Sequence, residues 1–194
     1  MFESPWDRSY VAEYIEEFWG TPNEAALRQG IAAWVGEGNG RSILDVGCGS
    51  AQVAPLLRGW KYYGVDGCRK FVSYGAARVA QRRLKVSDIT KPLPYRDNQF
   101  DAALCMQVLR HLESYELTIA EMVRVASESV YIVDMWCEGT EHRIGTQDVA
   151  GVVFPNNTWA LAVLEGYATS LGCKAERESL TGLPWAVTGL KLTL

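Results

Sequence analysis

Hydrophobic and polar positions follow two different periods along this chain. In the first forty residues the spacing is helical. Val11, Ile15 and Phe18/Trp19 fall on one side of a helix over 10–19, and Leu27, Ile31 and Trp34 repeat along a second. The start of that second helix is well marked. Thr21-Pro22-Asn23-Glu24 offers an N-cap hydroxyl, a proline at the first helical position and a capping-box glutamate. Gly36, Gly38 and Gly40 end it. From there the pattern alternates between strands and helices, with strands predicted over 41–46, 61–65, 84–87, 100–105, 129–134, 174–180 and 185–193. Helical spacing returns over 51–58, 69–80, 114–126 and 158–171, the last closing at Gly172.

Strands and helices alternating in this way predict a mostly parallel sheet with helices on both faces. Only Thr181-Gly182-Leu183-Pro184 separates the last two strands, so they pair as a hairpin and place one antiparallel strand in a seven-stranded sheet. No repeat or linker divides the chain. One domain is expected, with N-terminal helices over 1–38 set on a core over 41–194.

Composition narrows the picture by exclusion. With 48% hydrophobic and 22% charged residues the chain is globular, not disordered. A net charge of −4 gives no general attraction to nucleic acid. The local run Arg69, Lys70, Arg78, Arg82, Arg83 and Lys85 reads first as a solvated helix face. No apolar stretch reaches the roughly 20 residues that span a bilayer. The acidic, aromatic N-terminus is unlike a secretory signal, so a cytoplasmic protein is expected. Five cysteines without a CxxC pair argue against a disulfide framework and against zinc, and no metal site is expected.

The chemistry concentrates in Leu44-Asp45-Val46-Gly47-Cys48-Gly49-Ser50, where an apolar strand ends in an acid and breaks into a turn with two glycines. Glycine allows positive φ and a close backbone approach to a ligand. A nicotinamide dinucleotide fingerprint needs a third glycine where Gln52 stands, and so fails. One place earlier is Ala51. Alanine resists positive φ, so helical backbone is expected there. Three further elements follow at suitable distances: Tyr62-Tyr63-Gly64-Val65-Asp66, Val86-Ser87-Asp88-Ile89, and Leu93-Pro94-Tyr95-Arg96-Asp97-Asn98-Gln99-Phe100-Asp101. Together with the turn they resemble the class I S-adenosylmethionine-dependent methyltransferases, especially the group acting on small molecules, over about residues 10–194.

The resemblance implies a Rossmann-like, doubly wound fold and S-adenosyl-L-methionine as cofactor. It places Asp45, Gly47, Cys48 and Gly49 under the methionine part and ribose, with Asp45 receiving the ammonium directly or through water. Asp66 takes the ribose hydroxyls, the alternative for it being a helix N-cap, and Gly67 after it is a further cofactor-binding residue. Ser87, Asp88 and Ile89 meet the adenine, the alternative for Asp88 being a turn aspartate bonded to its own backbone. Cys105, Met106 and Gln107 end the fourth strand beside the methyl group. The (Asp/Asn)-Pro-Pro-aromatic run of DNA amino-methylating enzymes is missing.

Methyl transfer to an activated sulfonium needs mainly alignment, and a base only where the acceptor must lose a proton. His111 and His142 are the candidates, each also readable as a structural or loop residue. Acceptor walls are expected from the first helix and from 134–159, with Tyr10, Tyr14, Trp19, Trp136, Phe154 and Trp159 offering planar apolar surface, and with Gln107 also lining the acceptor site. The reading is a methyltransferase moving a methyl group to an oxygen or nitrogen of a small molecule. A protein or RNA methyltransferase, and a non-catalytic cofactor-binding protein, stay open beside it, as does the oligomeric state.

Overall fold

Within the strand Ser42–Val46 (β1) the side chains divide by turns, Ile43 to one face of the sheet and Leu44 and Val46 to the other. That two-residue period, with both faces apolar, is what a central parallel strand requires. The computed structural model describes residues 5–183 and 185–194. After β1 come β2 (Lys61–Asp66), β3 (Leu84–Val86), β4 (Phe100–Met106) and β5 (Ala126–Val133). The short strands β6 (Trp136–Cys137), β7 (Thr146–Val149), β8 (Val152–Pro155) and β9 (Trp159–Ala160) precede β10 (Lys174–Leu180) and β11 (Val187–Thr193).

Among the described residues one seven-stranded sheet runs β10-β11-β5-β4-β1-β2-β3. Its strands are parallel except β11, which is antiparallel to both β5 and β10. The seven strands agree with those read from the sequence to within three residues at each end. Pro184, in the predicted hairpin loop, lies outside the described residues.

Among the described residues five α-helices flank the sheet: α1 (Ser9–Trp19), α2 (Pro22–Val35), α3 (Arg69–Gly75), α4 (Glu116–Val125) and α5 (Leu161–Ser170). Ile119, Met122 and Leu164 of α4 and α5 join Leu44 and Val46 in one core, and Leu27, Ile31 and Val72 of α2 and α3 join Ile43 in the other. Pro22 takes the first position of α2 as predicted, but neither Thr21 nor Glu24 makes the capping bonds its sequence suggests.

The expected helix over 51–58 is absent. Ala51 takes φ 57°, against the helical backbone predicted for it, and its N–H closes a turn onto the Cys48 carbonyl at 2.9 Å. Pro55 has no N–H to return to Ala51, so only a 3-10 turn over Ala54–Leu56 forms. The helix over 69–80 stops at Gly75, and α5 begins at Leu161 because Trp159 and Ala160 pair with Trp136 and Cys137. The segment read as one long connection after β5 contains a hairpin. In β7–β8 the turn residues Ala150 (φ 52°) and Gly151 (φ 78°) both lie in the left-handed region, as a two-residue hairpin needs. This hairpin and α1 share a small separate core of Val11, Val149, Val152 and Phe154, with Trp6 and Ile15 packed on it.

Candidate active site

Above the carboxyl ends of β1, β2 and β4, where the strand order reverses, lies a cavity of about 440 Å³. Ligands of open α/β sheets are held at this position. The floor is the turn after β1. The N–H groups of Gly47 and Cys48 both reach the Val65 carbonyl, at 2.8 and 3.1 Å. Gly47 (φ 75°) and Gly49 (φ 52°) are left-handed. A Cβ would lie 2.4 Å from Val108 at the first and 2.5 Å from the Trp19 ring at the second, so glycine is required at both.

Asp66, at the end of β2, ties this turn to the next loop. Its Oδ2 accepts the Gly49 N–H at 2.8 Å and its Oδ1 the Cys68 N–H at 2.7 Å. Burial raises its pKa to about 6 against these two bonds, which favour the anion. Gly67, Asp88, Ile89 and Met106 share the wall with it. Asp88 also takes its turn role, Oδ1 accepting from the Thr90 N–H at 3.0 Å and the Thr90 hydroxyl at 2.6 Å.

Asp45 is set differently from its sequence reading. It points to the α2 and α3 face of β1, is 2% exposed and is absent from the cavity wall. The Tyr62 hydroxyl donates to its Oδ2 at 2.7 Å, and burial raises its pKa to about 7. Cys105 is likewise buried in the sheet, and Ser87 engages through its backbone N–H, which donates to the Asp66 carbonyl at 3.0 Å. Neither side chain is on the wall.

The two histidines separate cleanly. His111, in a 3-10 turn over Leu109–His111, lines the cavity. Its Nδ1 lies 2.8 Å from the Pro155 carbonyl. A carbonyl only accepts, so Nδ1 carries the hydrogen and the neutral ring keeps its lone pair on Nε2. Burial, the largest cause, holds its pKa below the usual range. The edge of Trp6 packs on it with ring centroids 5.2 Å apart. His142 is not on the wall: its Nδ1 accepts the Ala160 N–H at 3.0 Å, and its ring packs on Tyr115 and Trp159.

Of the predicted acceptor residues, Trp19 and Gln107 line the cavity. Gln107 is left-handed (φ 56°), a conformation that costs energy in a side-chain-bearing residue and is concentrated at working sites. Phe154 also lines it, stacked on Trp6 with centroids 3.7 Å apart. Tyr10 and Tyr14 face solvent. Trp136 and Trp159 are core residues, their indole N–H groups donating to the Thr188 and Leu109 carbonyls at 2.8 and 2.9 Å. None of these four is on the wall.

Sequence reading missed several wall residues, among them Glu24 and Arg28 of α2, Ser50, Arg110 and Gln147. Arg110 Nε donates to Asp134 Oδ1 at 2.6 Å, so its charge is compensated. Gln147 sits on the β7–β8 hairpin, whose signal was Ala150-Gly151 between β-branched residues.

A family model for a methyltransferase domain matches residues 44–133, which carry β1 through β5. The ubiquinone biosynthesis O-methyltransferase of Rickettsia bellii is 25% identical over 96 residues, 47% of this chain and 40% of that protein. The match therefore spans less than half of that relative's length. A chain of the Haloferax volcanii complex between a methyltransferase activator and a putative methyltransferase superposes with a TM-score of 0.75, at 16% identity, covering 100% of this chain and 99% of that one. Magnesium protoporphyrin IX methyltransferase from Synechocystis, with bound S-adenosylhomocysteine, gives a TM-score of 0.71 at 15% identity, covering 97% and 96%. These likenesses show the same fold. Residues 44–133 thus match a methyltransferase domain, and the chain as a whole shares the fold of these methyltransferase structures.

Proposed function

We propose that this chain transfers the methyl group of S-adenosylmethionine to an oxygen or nitrogen of a small molecule. One observation carries the reading: a single cavity joins the glycine turn, Asp66 and Asp88–Ile89 to a histidine with a free ring nitrogen. The residues present suit the cofactor. Ser50 Oγ is buried in the wall with no hydrogen-bond partner among the described residues, and a buried polar atom calls for one. Asp66 offers a carboxylate whose remaining lone pairs fit the two ribose hydroxyls. Asp88 and Ile89 stand at the adenine end.

When bound, the cofactor supplies a methyl group on a positively charged sulfur, already activated for in-line displacement. The protein's part is to align the acceptor, exclude water and receive a proton. The stacked pair Trp6–Phe154 gives a flat apolar wall, and Gln107 and Gln147 add neutral amides that fix orientation. With Nδ1 held by Pro155, His111 Nε2 accepts a proton from an acceptor hydroxyl or amine. The acceptor end carries no uncompensated charge, since Arg110 is paired with Asp134. That supports a neutral small acceptor, and the ubiquinone biosynthesis O-methyltransferase among the relatives supports oxygen as a receiving atom.

A panel of phenols and amines, incubated with methyl-labelled S-adenosylmethionine, tests this. Label should move to at least one neutral acceptor, and His111→Gln should slow that transfer by roughly 10²–10⁴-fold. His142→Gln should leave it unchanged. The rate should also fall with acidity as His111 protonates, at a pH below the usual histidine range. Equal rates for wild type and His111→Gln would leave alignment alone as the mechanism.

A further inference from the structure

Two charged residues in the cavity wall remain without a role. Glu24 and Arg28 stand one turn apart on α2 and are 8% and 7% exposed. Such a pair at i, i+4 ordinarily bonds to itself. Here the two sense each other's charge without forming an ion pair among the described residues. Glu24 receives no hydrogen bond from any described side chain or backbone N–H. Arg28 spends one nitrogen on the Trp19 carbonyl, at 2.6 Å, and leaves the rest of its fork free. Burial lowers the Arg28 pKa, which marks a desolvated cation and not a rinsed surface one. A largely buried acid and a largely buried base, both lining the same cavity and not bonded to each other, match a ligand carrying a cation and an anion side by side.

The α-amino acid end of the cofactor has that chemistry. Position agrees with it. The Trp19 ring lies against Gly49 and its carbonyl holds Arg28, which brings Arg28 to the cavity on the side of the Gly47–Ser50 turn. The orphan hydroxyl of Ser50 belongs to the same turn. Asp45, the acid expected to meet the ammonium, is instead sealed beneath the turn by Tyr62. We propose that Glu24 and Arg28 form the zwitterion site of this chain, Arg28 taking the carboxylate of the cofactor's amino acid and Glu24 its ammonium, while Asp45 is a structural acid. The inference rests on the cofactor reading above and deepens it.

Two ligands that differ only at that end separate the possibilities. S-adenosylhomocysteine carries the amino acid; 5′-methylthioadenosine keeps the adenosyl thioether and lacks it. Both are titrated by calorimetry into wild type, Glu24→Gln, Arg28→Met, Arg28→Lys and Asp45→Asn. Arg28→Met and Glu24→Gln should weaken S-adenosylhomocysteine by about ten- to a hundred-fold, the worth of charge-assisted bonds, and leave 5′-methylthioadenosine as in wild type. Arg28→Lys should recover part of the loss, because the charge remains without the fork. Asp45→Asn should keep the ratio of the two affinities. Unchanged binding of 5′-methylthioadenosine also shows that a variant is folded. The inference is overturned if Arg28→Met and Glu24→Gln keep the wild-type ratio, or if Asp45→Asn is the variant that collapses it. Wild type binding neither ligand would instead overturn the cofactor reading itself, and this inference with it.

Discussion

Gly47 carries two demands at once, positive φ and no Cβ, because Val108 stands where a Cβ would go. Gly47→Ala should therefore cost about 1–3 kcal/mol, combining left-handed strain with the clash. It should also weaken S-adenosylhomocysteine, because the turn is the cavity floor; a thermal melt and a titration on the same sample check both. Asp45 makes a different prediction, through pH. Its folded pKa of about 7 stands above an unfolded value near ~3.9. Between those values the folded state keeps a proton the unfolded state has released, so stability falls as pH rises through the window. Asp66, at about 6, acts in the same direction over a lower range. His111, with its pKa lowered by burial, acts oppositely: the unfolded chain takes its proton first on acidification, so stability falls as pH drops below the usual histidine range. The clean window for Asp45 is thus the approach to its folded value, about pH 6.5–7, above which both states are ionised and the slope vanishes. There the melting temperature of wild type should decline and that of Asp45→Asn should decline less, since asparagine still accepts from Tyr62 and has no charge to bury. Parallel slopes would mean that Asp45 does not titrate there.

At the scale of elements, what the sequence made legible followed from repetition. Strands buried on both faces are near-continuous apolar runs, so β1, β2 and β4 were readable nearly to the residue, and the pairing of β10 with β11 followed from the short loop between them. That Asp66 lies beside the glycine turn was legible because it closes the strand next to β1. The failures have a common cause: tertiary contacts decided between local options of similar energy. The run 51–58 has helical spacing, yet Ala51 is forced left-handed by the turn and Pro55 breaks the remaining turn. His142 lies in a glycine-flanked segment that looks mobile, yet its ring packs on Tyr115 and Trp159. Asp45 alternates to the face opposite Leu44, where Tyr62 covers it. Glu24 read as a capping box and is a cavity residue. The hairpin β7–β8 was hidden inside a long connection, and it bears on function because Phe154, Pro155 and Gln147 come from it. Phe154→Ala removes the stacking partner of Trp6 and should cost about 3–5 kcal/mol of stability in the small core shared with α1, as for other buried phenylalanines. It should leave S-adenosylhomocysteine affinity within a few-fold. Loss of cofactor binding equal to that of Gly47→Ala would place Phe154 at the cofactor end instead.

Over the whole molecule, charge is distributed along the cavity in a way that divides it. Glu24, Arg28, Asp66 and Asp88 lie toward the floor and the ends of β2 and β3, while the opposite end offers aromatic rings, two amides, a compensated arginine and a neutral histidine. A charged, polar cofactor and a neutral acceptor are complementary to that division. Among the described residues no helix is long and apolar enough to cross a membrane. The two N-terminal helices and the β7–β8 hairpin enclose the cavity from above, and the seven-stranded sheet fixes its floor. A ligand that binds only this folded arrangement stabilises it by mass action. If the cavity takes an adenosyl sulfonium and not a dinucleotide, titration calorimetry of the wild-type protein with S-adenosylhomocysteine and, separately, with NADH separates the two. Saturable one-to-one binding is expected with S-adenosylhomocysteine and no heat of binding with NADH; the reverse pattern, saturable NADH and silent S-adenosylhomocysteine, would refute the assignment.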